Sequence, residues 1–306
     1  MKIIFFGTPH FVIPVLEALT KKIDIVAVVT APDQKSGRKQ ILTPSPIKQF
    51  ADKQGIPVFT PKKLSDADFH AALPQADFFV VAAYGKIIPE AVLTLPTSGA
   101  VNIHPSLLPL YRGPAPITAA IKNGDTQTGI SIMLMDEHMD HGPLLKQIPY
   151  PLTGRETFEE LAKSMFSQAA LLLPTILDSY QLGKIHPQAQ DDTQATYVKI
   201  ITKQDGYIDA TNPPELQQLD NLIRAYFPWP TVWTKVTING QAKLLKFLPH
   251  KKIQLEGKNP MTYKEFFNGY LDDIVQISKE IQQQSTPILR KDFIIDPIQI
   301  AEASVA

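Results

Sequence analysis

Asn102 and His104 stand two residues apart in the apolar run AVNIH (residues 100–104), which ends at Pro105. Read as a strand, the run puts both polar side chains on one face and turns Ile103 to the other. Proline then ends the strand, leaving at its exit an amide donor beside a group that takes up or releases a proton near neutral pH. In an open parallel sheet, ligands bind in the crevice beyond the carboxyl ends of the strands, so the pair is a candidate site. The plainer alternative is that His104 satisfies a loop carbonyl.

A second concentration of chemistry follows the apolar run GISIMLM (129–135). There DEHMDH (136–141) packs five ionisable residues into six positions and ends at Gly142-Pro143. One reading is zinc, held by His138 and His141 with Asp136 or Asp140 and with His104 as a further ligand. Against it, Gly142-Pro143 marks a loop, where a three-residue histidine spacing places no two ligands on one helical face, and the HExxH pattern is absent. No metal is therefore expected. In the other reading one carboxylate, Asp140 or Asp136, orients His104 and pairs with its protonated ring. Spacing does not choose between the two.

The elements that must position these residues read as α/β. Lys2 to Phe6 is a buried-strand pattern, and Gly7-Thr8-Pro9 turns it into a helix with Val12, Val15, Leu16 and Leu19 on one face. Pro9 suits the first helical turn, where a missing N–H costs nothing. The three glycines of a dinucleotide fingerprint and the lysine of a P-loop are both missing. Asp24 to Thr30 is a second strand. After it, Lys35, Arg38 and Lys39 lie among Ser36, Gly37 and prolines, the composition of an exposed loop ahead of a helix over 44–54. DFFVVAA (77–83) has the continuous apolarity of a central parallel strand, and Tyr84-Gly85-Lys86 at its exit either turns the chain or lets backbone approach a flat ligand. A helix over 115–122 and a last strand over 143–150 follow. A long helix then carries the capping pair Thr153 and Glu156 at its start and Phe158, Leu161, Met165 and Leu172 near one face.

A length of 306 residues suggests two domains. We expect the first over 1–185, a linker of His, Pro, Gln and Asp over 186–204, and a smaller second domain over 205–306. The latter holds Phe227-Pro228-Trp229-Pro230, a hairpin across Asn239-Gly240 and a glutamine-rich tail. Thirty basic residues balance thirty acidic ones, which argues against a broadly basic nucleic-acid coat. With no cysteine, disulfides and thiolate metal sites are excluded. No apolar run approaches the ~18 residues of a membrane helix, so a soluble cytoplasmic protein is expected.

In order, and over most of residues 1–235, the segments FFGTP, TAPDQKSGRK with LTPSPIK, VAAYGKIIP, NIHPSLLP with YRGPAPI, MDEHMDHGPLL, TKQDGYID and IRAYFPWP resemble the folate-dependent formyltransferases. The Asn-x-His pair with a later Asp-x-Gly is specific to that family. The basic TPSP loop and the PWP segment are specific to its tRNA-acting branch. The resemblance implies a Rossmann-like doubly wound, mainly parallel sheet, followed by a small barrel similar to an oligonucleotide-binding fold. That barrel is expected to be shortened, because KLLKFLPHKK passes almost at once into QLEGKNPMTYKEFFNGY.

The resemblance further implies that Asn102, His104 and Asp140 are catalytic. It puts Ser106, Leu107, Leu108 and Pro109, with Tyr84, Gly85 and Ile88, on the folate side, and Lys35, Arg38 and Lys39 against the acceptor end of tRNA. The implied activity is formyl transfer from the co-substrate 10-formyltetrahydrofolate to the α-amino group of initiator methionyl-tRNA, without a metal, by a monomer. The same trio would serve formyl transfer to an amino sugar nucleotide, or hydrolysis of formyltetrahydrofolate. Readings of other classes are a metallohydrolase built on the histidine cluster and a non-catalytic RNA-binding protein. His138 and His141 depart from the pattern of the family, which has small or hydroxyl residues there.

Overall fold

Strand β1 (Lys2–Gly7) buries Ile3, Ile4, Phe5 and Phe6 completely, as a strand covered on both faces must. It belongs to a computed structural model that describes residues 1–37, 40–210 and 212–270 and divides into two units. The first is formed by Met1–Ile117, Thr126–Leu152 and Glu160–Ile200, the second by Thr118–Asp125, Thr153–Glu159 and the chain from Ile201 onward. The stretch 186–204, expected as a linker, thus lies in the first unit as far as Ile200.

The elements in chain order are α1 (Ile13–Thr20), β2 (Asp24–Val29), β3 (Gln34–Ser36), β4 (Ile41–Thr43), α2 (Pro46–Gln54), β5 (Val58–Phe59), α3 (Ala67–Ala72), β6 (Phe78–Ala82), α4 (Glu90–Leu93), β7 (Ala100–His104), α5 (Pro116–Asn123), β8 (Gln127–Leu134), β9 (Leu144–Pro151) and α6 (Phe158–Gln181). Among the described residues the main sheet has seven strands in the order β5-β2-β1-β6-β7-β8-β9. Strands β5, β2, β1, β6 and β7 pair in parallel, and β8 runs against both β7 and β9. From β1 the chain winds outward to β2 and β5, then returns to β6 and β7 on the other side. The switch point therefore lies between the exits of β1 and β6, one strand from the end of β7. All five side chains of β6 are buried, and Phe6, Phe79, Val81 and Tyr84 join one core cluster. Burying each such large apolar side chain contributes about 1.5–3 kcal/mol.

Four local expectations shift. Pro9 precedes a single 3-10 turn (His10–Val12), and the proline inside the first turn of α1 is Pro14. The loop after β2 is partly a hairpin, β3 against β4, with Ile41 and Leu42 exposed. In α6 the buried row runs through Leu161, Met165, Ala169, Leu173 and Leu177, steps of four that leave Leu172 off the buried face and 40% exposed. Thr153 N and Oγ1 both donate to Glu156 Oε1 at 2.8 Å, but they close the turn ahead of α6 rather than its first turn.

In the second unit, α7 (Leu216–Ala225) is followed by β10 (Val232–Ile238), β11 (Gln241–Leu248), β12 (Lys252–Leu255), β13 (Met261–Thr262) and α8 (Tyr263–Gly269). The four strands form an antiparallel meander, and among the described residues the sheet is not closed into a barrel. The hairpin lies where Asn239-Gly240 predicts it, with positive φ of 50° and 71°, the primed turn that such a pair favours. The glutamine-rich tail lies outside the described residues.

Candidate active site

Strand β7 delivers Asn102 and His104 to one face, as its period of two requires, and both meet the carboxylate of Asp140. Asn102 Nδ2 donates to Asp140 Oδ1 at 3.3 Å, and His104 Nδ1 lies 3.5 Å from the same oxygen, an ion-pair contact rather than a short hydrogen bond. The other ring nitrogen, Nε2, donates to the Tyr111 carbonyl at 2.9 Å. The loop carbonyl thus fixes the ring, as the plainer alternative has it, and the Nδ1 edge faces the carboxylate. Its side chain is 5% exposed.

Asp140 reaches this place by an indirect route. Because β8 is antiparallel to β7, with Val101 opposite Leu134 and His104 opposite Ser131, the exit of β8 lies at the amino end of β7. The loop must turn back toward the other end to meet His104. Gly142 makes the turn possible, since a Cβ there would stand 2.0 Å from the Leu134 carbonyl oxygen. Asp140 itself has a φ of +50°, and its Oδ2 accepts the Gly113 N–H at 2.7 Å. Gly113, with a φ of +112°, has the Val198 carbonyl 2.5 Å from where a Cβ would be.

The sequence reading missed what holds these loops. Arg112 is fully buried, and its guanidinium donates to Gln190 Oε1 (3.1 and 2.8 Å), Asp192 Oδ1 (2.6 Å) and the Tyr197 hydroxyl (3.2 Å). Gln190 Nε2 then donates to the carbonyls of Asp140 (2.9 Å) and Gly142 (2.8 Å). Burial opposes the charge on Arg112, but its hydrogen bonds to Asp192 and Tyr197 outweigh this and raise its pKa. In return Arg112 holds the Asp192 carboxyl below its ordinary range. The backbone closes the same contact, with Arg112 N donating to Thr196 O and Val198 N to Arg112 O, each at 2.8 Å. A polar run rich in Gln and Asp beside a single Arg in YRGPAP was the available signal, because a buried guanidinium needs such acceptors.

The DEHMDH segment resolves into parts. Asp140, not Asp136, faces His104. Asp136 Oδ2 lies 2.7 Å from His141 Nδ1, and that hydrogen bond raises the pKa of His141. His141 Nε2 lies 3.2 Å from Asp192 Oδ2, and His138 is exposed.

The residues expected on the folate side are split. Ser106 is buried, with Oγ donating to Leu110 O at 2.6 Å, and Leu108 is buried with its N–H on Ser131 Oγ at 3.0 Å. Leu107 packs over Gly129, where a Cβ would come within 2.4 Å of its Cδ2, and Pro109 follows through a cis peptide bond. Tyr84 and Ile88 belong to the core, and burial pushes the Tyr84 hydroxyl up to about 12. Gly85 is exposed at φ +81°, with open space beside its Cα. Lys35 is exposed on β3, and Arg38 and Lys39 lie outside the described residues. Among the described residues no helix is long and apolar enough to cross a membrane.

Comparison with known proteins bears on this geometry. Residues 1–177 match the family model described as formyl transferase. A methionyl-tRNA formyltransferase of Roseiflexus sp. (strain RS-1) is 44% identical over 240 residues, covering 76% of this chain and 73% of the relative. Two solved structures share the fold. One is a methionyl-tRNA formyltransferase from Clostridium thermocellum (TM-score 0.55, 16% identity, 85% of this chain and 98% of that one). The other is an N-formyltransferase from Helicobacter canadensis in complex with folinic acid and dTDP-3-aminofucose (TM-score 0.58, 18% identity, 83% and 94%).

Proposed function

The chain belongs to the formyl transferase family, and on that premise we propose that it formylates the α-amino group of initiator methionyl-tRNA for translation initiation. The observation that carries the reading is the convergence of Asn102, His104 and Asp140 within 3.5 Å of one carboxylate oxygen. The similarity to the Roseiflexus enzyme over three quarters of both chains supports methionyl-tRNA as the acceptor.

The co-substrate, 10-formyltetrahydrofolate, supplies an activated formyl group. The folate would lie beyond the ends of β6 and β7, a reading supported by the open space beside Gly85, where backbone can approach a flat ligand closely. An α-amine titrates near ~8, so enough of it is neutral at pH 7 to attack without a strong base. As the nitrogen bonds to the formyl carbon, negative charge grows on the formyl oxygen. Asn102 uses one amide N–H on Asp140 and offers the second to that oxygen. His104, its Nε2 spent on Tyr111, offers Nδ1–H from the edge that faces Asp140. Asp140 pairs with the protonated ring and accepts the proton lost by the amine, directly or through water, for return to the departing folate nitrogen. This chemistry calls for no metal. Lys35, Arg38 and Lys39 would meet the tRNA, and the protein would act as a cytoplasmic monomer.

The test incubates the protein with formyl-labelled 10-formyltetrahydrofolate and, separately, methionyl-tRNA, uncharged tRNA, an amino sugar nucleotide or water alone. Label on methionyl-tRNA is expected. Label only on the sugar, or formate released whatever the acceptor, overturns the reading in favour of a sugar formyltransferase or a hydrolase.

A further inference from the structure

His138 and His141 take no part in the proposed reaction, and a loop spacing by itself aligns no ligands. The folded loop supplies the missing convergence: one ligand atom from each of Asp136, His138 and His141 lies within 4.8 Å of the others. We propose that these three residues form a surface site for a divalent transition metal ion of the zinc class, at the rim of the active site and distinct from its chemistry.

Two imidazoles and a carboxylate suit zinc, whereas magnesium and calcium select oxygen ligands. The carboxylate is already oriented. Asp136 Oδ1 accepts the backbone N–H of His138 at 3.0 Å, which leaves Oδ2 pointing at His141 Nδ1, 2.7 Å away. The far side of the ring carries the independent sign. His141 Nε2 lies 3.2 Å from Asp192 Oδ2, and Asp192 is anchored by Arg112 at 2.6 Å. A metal-binding histidine ordinarily donates its other ring N–H to a carboxylate, which fixes the tautomer and directs the free lone pair at the ion. His141 takes that arrangement once the proton between Nδ1 and Asp136 is displaced, with Nδ1 then the lone-pair side.

Ligands at about 2.0–2.2 Å from zinc stand about 3.3 Å from one another, so the ion replaces the proton shared by Asp136 and His141 and parts them by about half an ångström. His138, 67% exposed, would leave its 3.7 Å contact with Glu137 Oε1 to turn its ring onto the ion, and water completes the coordination. Because Asp136 and His141 bracket Asp140 in sequence, the bound ion ties together both ends of the turn that presents the proposed catalytic carboxylate.

The test dialyses the full chain against Zn²⁺ and, separately, against Mg²⁺, measures metal content, and follows thermal melting with and without each ion. Wild type is expected to retain one equivalent of Zn²⁺, no Mg²⁺, and to melt higher with zinc. His138→Ala, which alters an exposed side chain, should melt as wild type without zinc and lose both the equivalent and the shift. Asp192→Asn should weaken binding about tenfold or more. If wild type retains no zinc, or His138→Ala retains it unchanged, the site is not there. Unchanged affinity in Asp192→Asn overturns the supporting role of that carboxylate.

Discussion

The side-chain amide of Gln190 donates a hydrogen bond to the backbone carbonyl of Asp140 at 2.9 Å, and so governs where the proposed catalytic carboxylate stands. The same nitrogen holds the Gly142 carbonyl at 2.8 Å, while the amide oxygen of Gln190 receives Arg112. One side chain thus couples a buried cation to the turn that reaches His104.

Gln190→Leu should lower kcat about 10–100-fold with little change in KM for either substrate, because a displacement of 1 Å in a reacting constellation costs up to about 10²-fold. Gln190→Glu keeps the acceptor for Arg112 but loses the donor to both carbonyls. It should restore stability without restoring kcat. Steady-state kinetics beside melting curves separate the two effects, and a kcat within twofold of wild type in Gln190→Leu would contradict the positioning role.

Asn102→Ala and His104→Ala should each reduce turnover on the order of 10²–10³-fold, the usual effect of removing one donor to a developing oxyanion. Folate affinity, measured by fluorescence titration, should change little, since neither side chain lies among the residues expected on the folate side. The double variant should lose less than the product of the single losses, because both donors serve one oxygen.

Gly142→Ala places a methyl group 2.0 Å from the Leu134 carbonyl, so the loop must move. We expect a stability loss of about 2 kcal/mol or more, with activity falling alongside. Gly154→Ala is the control: its φ is +77° but nothing lies near its Cα. There only the cost of backbone conformation, about 1 kcal/mol, should appear, with normal turnover. Denaturant unfolding and initial rates on the same preparations make the comparison.

The second unit should be acid-sensitive through two capping boxes. Hydrogen bonds from Thr202 lower the pKa of Asp205, and those from Thr262 lower that of Glu265. A carboxyl whose folded pKa is depressed contributes stability above its unfolded value, near ~4, and that contribution is lost as pH falls through the folded value. Asp205→Asn with Glu265→Gln should melt lower at pH 7 and show a flatter decline between pH 5 and pH 3. Parallel curves for the two proteins would remove the capping boxes as the cause.

Periodicity made much of this legible. Unbroken apolar runs became β1 and β6, and the alternation in AVNIH put Asn102 and His104 on one face. Two kinds of information were out of reach. The choice of Asp140 over Asp136 depends on strand direction: in an antiparallel β8 only a loop that folds back past Gly142 meets β7, and no spacing encodes that. The run 186–200 reads as a linker because its residues are polar, yet Gln190 and Asp192 pair with a buried arginine and the Thr196 hydroxyl accepts the neighbouring Tyr111 N–H. Polar composition marks a solvated segment only when no buried charge elsewhere requires those groups.

The contact between Arg112 and Tyr197 spans 85 positions of chain. Closing a loop of that size costs about 4 kcal/mol of chain entropy, and the reward comes only once the strands between are in place. A chain still being synthesised, with Asn102, His104 and Asp140 already made, lacks the segment that fixes Arg112. On the proposed mechanism, competence therefore waits until residues up to Val198 dock, and a half-made protein holds the proposed reacting groups without holding them in position.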